Sequence, residues 1–223
     1  MPTAANAPAL KDAGKSNPIT IGVLALQGDY EAHARAFASL GARTVLVRKP
    51  EDLKGPDGRG PDGPRLDGLV LPGGESTTML KFLDQGGFFA ALGNFAANTP
   101  CFATCAGCIL LAREVLHPKQ RSLGVLDATV ERNAYGRQID STILTAETEL
   151  PGGPLEMVFI RSPRITRIGK GVEVLARRDG FPTLVRQGHL LVATFHPEMT
   201  GDTRVQRLFL EMIAAHKSRP GKK

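Results

Sequence analysis

Cysteine is scarce in this chain of 223 residues: there are three, an odd number for so long a sequence. That argues against a disulfide framework and for a reducing compartment, the cytoplasm. Long apolar runs are missing as well. None approaches the roughly 20 residues that a membrane helix needs, so no membrane association is expected. Residues 1–18 are rich in Ala and Pro, lack a hydrophobic segment behind a positive start, contain no Arg and carry Asp12. Neither a secretory signal nor a transit peptide looks like this, and the segment reads as a disordered leader. A basic helix is also missing. The net charge of +6 lies partly in Lys217-Ser-Arg-Pro-Gly-Lys-Lys223, so residues 218–223 read as a basic mobile tail, and no nucleic-acid partner is expected. No Cys/His spacing offers a zinc site, and no metal or organic cofactor is expected.

What is there fits one globular domain, residues 19–217, with 42% hydrophobic and 22% charged content. Ile19 to Leu26 is apolar on both faces, as a central parallel strand should be. Asp29 can cap a helix over Tyr30 to Leu40, Gly41 ends it, and Arg43 to Arg48 makes a second strand. Strand, helix and strand form a right-handed crossover unit. Residues 51–65 are Gly, Pro and charge, a surface loop insertion. Asp67 to Leu71 is a third strand, running into Pro72-Gly-Gly-Glu-Ser-Thr-Thr78, with Ser76 a plausible cap for a following helix. After Val115 the pattern shifts to shorter strands: Gly124 to Glu131, Ser141 to Ala146, Leu155 to Ile160, Val172 to Arg178 and Thr183 to Arg186. Leu190 to Phe195 returns to a buried strand. A helix over Asp202 to Lys217 closes the chain, its stripe of Val205, Leu208, Phe209, Met212 and Ile213 facing the core. The fold class is therefore α/β, a three-layer sandwich around a mostly parallel sheet.

The chemistry concentrates at Cys105. Cys101 to Thr104 reads as a strand and Ala106 to Val115 as a helix, so Cys105 sits on a sharp strand-to-helix junction. The free N–H groups of the helix start aim positive charge at it, and Gly107 leaves room for substrate. A cysteine of ordinary pKa is only about 3% thiolate at neutral pH, so it needs a base. Phe195-His196-Pro197-Glu198, at the end of a distant strand, supplies one. Residues two apart in extended chain share a side, which makes the His196 imidazole and the Glu198 carboxylate neighbours, and a carboxylate beside the ring fixes its tautomer. Cys101 and Cys108 read as structural thiols. His33, His117, His189 and His216 read as surface or helix-face residues. Two glycines, Gly73 and Gly74, bring bare backbone to the sheet's carboxyl edge, where open α/β sheets bind ligands. Arg132 and Arg161 are either ordinary surface charge or guanidinium forks for a carboxylate.

These pieces resemble the class I glutamine amidotransferases, and among them the PdxT/SNO family of glutaminase subunits of pyridoxal 5'-phosphate synthase. The matching runs are Gly22 to Gly28, Leu71 to Thr78, Thr104-Cys-Ala-Gly107, Val130 to Asn133 with Gly136-Arg-Gln138, Phe159-Ile-Arg161, and Phe195 to Glu198 with Thr200. The resemblance implies Cys105 as nucleophile, His196 as base and then acid, and Glu198 as its orienter. It implies that L-glutamine is held by Gly74, Glu75, Ser76, Arg132, Ile160 and Arg161, with an oxyanion hole near Gly74 and Ala106. It further implies glutamine hydrolysis through a thioester, with ammonia passed to a barrel-shaped synthase subunit in a hetero-oligomeric complex, and weak activity without that subunit. Departures are Ala103 for a usual Gly, Tyr135 for Phe, Ser162 for Ala, His189, and Ser141-Thr-Ile143 for Ser-Phe-Glu. Two alternatives use the same fold. One is a hydrolase or stress protein of the PfpI group, against which the His-x-Glu pair argues; the other is a catalytically idle regulatory subunit.

Overall fold

The computed structural model describes residues 18–53, 66–132 and 141–218. Most of the leader, the loop beyond residue 53, the Gly136-Arg-Gln138 run with Asn133 and Tyr135, and the tail beyond 218 lie outside these residues.

Short apolar runs form the centre. Strands β1 (Thr20–Leu24), β2 (Arg43–Val47), β3 (Gly68–Leu71), β4 (Cys101–Thr104) and β12 (Leu190–Ala193) pair in parallel in the order β12-β4-β3-β1-β2. Beyond β12 the sheet continues antiparallel through β11 (Phe181–Gln187) to β10 (Glu173–Arg178), giving seven strands. Strand alternation sends neighbouring residues to opposite faces, and β4 shows the result. Cys101 and Ala103 pack among Met79, Leu83, Leu92 and Ile109 on one face, while Phe102 packs with Phe37 and Phe209 on the other. The Phe102, Phe37 and Phe209 ring centroids lie 5.7–6.3 Å apart, tilted or edge-on, as aromatic quadrupoles prefer.

Helices α1 (Tyr30–Ser39) and α5 (Arg204–Lys217) cover that aromatic face. Asp29 caps α1 as expected, its carboxylate accepting the Ala32 N–H at 3.0 Å. Helices α2 (Ser76–Leu83), α3 (Phe88–Asn98) and α4 (Ala106–Leu111) cover the other face. Two small sheets complete the fold. One is β5 (Ala112–Leu116), β6 (Leu126–Glu131) and β9 (Arg164–Ile168); the other is the hairpin β7 (Thr142–Ala146) with β8 (Leu155–Phe159). Among the described residues no helix is long and apolar enough to cross a membrane.

Four local expectations change. The helix expected to run to Val115 stops at Leu111, because Ala112 to Leu116 pairs in parallel with β6 instead. The cap of α2 is Glu75, not Ser76: the Glu75 carboxylate accepts the Thr78 N–H at 2.8 Å, and the Ser76 hydroxyl donates to Gln120 at 2.9 Å. Residues 50–53, counted partly as surface loop, make a 3-10 turn that buries Leu53 in the core. The glycine at 107 serves packing rather than substrate access, since a Cβ there would collide with the Leu71 carbonyl oxygen of β3.

Candidate active site

At the carboxyl edge of the central sheet, β4 ends and α4 begins across one residue, Cys105. Its backbone is bent to φ 46°, ψ −103°, a region that L-residues avoid. The bend is held from below, where the Cys105 N–H donates to the Ala193 carbonyl of β12 at 3.0 Å. The Cys105 side chain makes no capping bond to its helix, so the first N–H groups of α4, starting with Ala106, have no acceptor within it. The residue is 6% exposed, with its sulfur 4.0 Å from the Ile160 carbonyl oxygen.

His196 arrives from the next strand over, just past β12. Its N–H donates to Val158 of β8 at 2.8 Å, and its Nδ1 lies 2.7 Å from Glu198 Oε1. The two side chains meet as anticipated, but for a different reason. Pro197–Met199 is a 3-10 turn that folds Glu198 back onto the ring, not an extended segment. Burial opposes a charged imidazole here, yet hydrogen bonds with Cys105 and Glu198 outweigh it and raise His196 to about 10. Burial likewise opposes the Glu198 charge, and it is overcome by His33 and His196, which bring that carboxyl down to about 2. The His196 ring and the Cys105 Cβ both lie over Gly73, where an added Cβ would strike His196 Cε1 and come within 3.2 Å of Cys105 Cβ. Cys101 and Cys108, by contrast, are fully enclosed, and burial pushes both thiols far above their ordinary range.

A cleft of ≈ 260 Å³ opens above the sulfur, and Gly74, Glu75, Ser76, Arg132, Ile160 and Arg161 all line it together with Cys105 and His196. Ala106 lies buried just behind Cys105 and is not part of the lining. Arg132 Nη2 stands 3.3 Å from Glu75 Oε1. Burial opposes the Glu75 charge, but bonds from Thr77 and Thr78 together outweigh it and bring its carboxyl down to about 2. Arg161 adopts φ 45°, a second bend at the rim.

Two residues were missed. Gln27, after β1, lines the cleft, and its Oε1 accepts the Glu75 N–H at 2.6 Å. It lies inside a run already singled out, but nothing in the run assigns it a task. His33 is a correction: it is fully buried on α1, and its Nε2 lies 3.3 Å from Glu198 Oε1. The signal was its place in the apolar stripe Tyr30, His33, Ala34 and Phe37, at helical spacing. His117 is exposed and His189 and His216 are half-buried, away from this cleft. No group of three or more His, Cys, Asp or Glu with metal-binding spacing occurs among the described residues.

Comparison with known proteins gives the following. The model of the SNO glutamine amidotransferase family matches residues 23–215. Pyridoxal 5'-phosphate synthase subunit PdxT of Koribacter versatilis is 58% identical over 193 residues, covering 86% of this chain and 95% of that protein. The subunit of the same name from Thermotoga maritima is 48% identical over 195 residues, covering 86% and 98%. Among solved structures, one described as a glutamine amidotransferase superposes with a TM-score of 0.77 at 45% identity, over 87% of this chain and 98% of its own.

Proposed function

The chain belongs to the SNO glutamine amidotransferase family, and we propose that Cys105 is its nucleophile, His196 its general base and acid, and Glu198 the group that orients the imidazole. The protein hydrolyses glutamine to glutamate and ammonia, and it does so with a synthase subunit that uses the ammonia for pyridoxal 5'-phosphate, vitamin B6. The observation that carries the proposed roles is the strained Cys105 bend beside a ring whose Nδ1 is held 2.7 Å from a buried carboxylate.

The chemistry follows from that arrangement. With Nδ1 engaged by Glu198, Nε2 of His196 is left for the sulfur, and a ring raised to about 10 takes the thiol proton as the sulfur attacks. The sulfur attacks the side-chain amide carbon of glutamine. The oxyanion is met by the N–H groups of Gly74 and Ala106. The carbon–nitrogen bond breaks as the imidazolium proton passes to nitrogen, and ammonia leaves a glutamyl thioester behind. A water molecule then gives a proton to His196 while its oxygen attacks the thioester carbon, and the carbon–sulfur bond breaks to release glutamate. Arg132 holds the substrate carboxylate with its fork, and Ile160 and Arg161 close the far wall. Ammonia set free in bulk water becomes ammonium, which is not a nucleophile, so the product has to pass directly to the synthase subunit.

The same proposal takes residues 19–217 as one glutaminase domain and, on the ground of three free cysteines, places it in the cytoplasm. Ammonia release from glutamine, measured with and without the synthase subunit, tests the whole reading. Release should rise on adding the subunit and vanish in Cys105→Ala. No release under either condition makes the chain an idle regulatory subunit.

A further inference from the structure

Glu198 has a second histidine. The Nε2 atom of His33 lies 3.3 Å from the carboxylate oxygen Oε1, the one that already faces His196 Nδ1, and 3.1 Å from the Thr104 hydroxyl. All of this is sealed from water: His33 and Thr104 are fully buried and the Glu198 side chain is 1% exposed. The placement is built in from both sides. On α1, His33 and Phe37 are one helical turn apart and share the face that packs on Phe102, whose ring meets His33 edge-on at 5.9 Å. On β4, strand alternation turns Thr104 to the same face as Phe102, one residue before the nucleophile.

We infer that His33 is a positioning residue for the hydrolysis, donating its Nε2–H to the Glu198 carboxylate and so fixing the group that fixes His196. The inference rests on the functional reading above. Two orphaned atoms decide the direction of the bond. His33 Nδ1 and Glu198 Oε2 are buried and have no hydrogen-bond partner among the described residues. A proton on Nδ1 alone would be buried without an acceptor, and a bare Nε2 lone pair would face a carboxylate; both are costly. A proton on Nε2 removes both problems. Since Oε2 has no partner among the described residues, the two imidazoles near Oε1 are what those residues give the carboxylate to hold its orientation and its charge. The titratable groups in this cluster, from every element packed on it, are His33 of α1, Cys105 at the end of β4, and His196 and Glu198 after β12.

Two exchanges separate positioning from filling. His33→Leu fills the space without a donor, and His33→Gln keeps an amide N–H at a similar reach. Glutaminase kcat in the complex with the synthase subunit should fall about tenfold in His33→Leu, with KM within twofold, and recover most of that loss in His33→Gln. Alkylation of Cys105 by iodoacetamide, followed against pH, reads the thiolate without using glutamine at all. Loss of the donor weakens the hold on the imidazolium, so the acid-side inflection should move up by about half a pH unit or more in His33→Leu and stay in place in His33→Gln. An unmoved inflection in His33→Leu, or equal loss of kcat in both variants, overturns the inference. His33→Met, donor-free and flexible, replaces the Leu variant should that one not fold. Parental protein that is alkylated at Cys105 but releases no ammonia from glutamine refutes the functional reading instead, and the alkylation profiles still decide the role of His33.

Discussion

Cys105 and Cys108 stand three residues apart, both buried, in surroundings that make one a nucleophile and the other inert. Cys108 is one turn inside α4, packed among Leu71, Leu110 and Val130 of the same core, and burial pushes its thiol up. Cys105 sits where strand gives way to helix, bent out of the sheet plane and set beside an imidazole. The two residues are equally hydrophobic and nearly equally hidden. Reactivity therefore comes not from exposure but from position along the backbone: a thiol inside the helix meets the core, whereas the carboxyl edge of the sheet is where chain ends from separate strands can bring a base.

The contrast can be broken most severely at the two sulfurs. Cys105→Ala should lower glutamine turnover by at least about 10³-fold, while Cys108→Ala should keep kcat within twofold and lose about 1 kcal/mol of stability through the space left in the core. Equal damage to turnover from both would mean that the edge is not special. Next comes the carboxylate behind the base. Glu198→Gln should cost about 10²–10⁴-fold in kcat, since an amide neither fixes the tautomer nor balances the imidazolium. Steady-state kinetics of the complex checks each of these.

A smaller effect is expected in the cleft. Arg132→Ala should raise KM for glutamine about tenfold or more and leave kcat within a few fold, because its fork binds a part of the substrate that does not react. An unchanged KM rejects that role and leaves Arg132 as the partner of Glu75. The mildest probe is acid. The Glu198 carboxyl is held at about 2 against an ordinary value of 4.5. A depressed carboxyl contributes stability that is complete above pH 4.5 and lost as pH falls toward 2. Urea midpoints taken between pH 6 and pH 3 should drop more steeply in the parental protein than in Glu198→Gln, and parallel curves would remove the edge carboxylate from the account.

Much of this was open to reading from residue order. Apolar runs marked the parallel strands, and the junction at Cys105 followed from a strand pattern meeting a helix pattern without a spacer. The His-x-Glu pair was recognisable by its company, although the turn that joins it was taken for extended chain. What escaped depended on contacts between distant segments. Nothing local distinguishes Ala112 to Leu116 from a continuing helix, because its strand form comes from pairing with β6. α3 and β9 went unmarked for a related reason: an Ala/Phe-rich stretch with interior Gly and Asn, and an Arg-flanked Ile-Thr pair, acquire their structure from the core and from β6. The task of Gly107 appears only when β3 lies behind it, and that of His33 only when α1 is laid on β4. A helix stripe shows that a side chain is inward, not what it meets there.

The bend at Cys105 has a last implication, for how such a protein can change over generations. A positive φ in a residue with a Cβ costs of the order of 1–3 kcal/mol, and glycine alone escapes it. Cys105→Gly would thus relax a strained bend and leave a firmer but silent molecule. Mutation drifting toward robustness pulls against this one position, and only the demand for turnover keeps sulfur there.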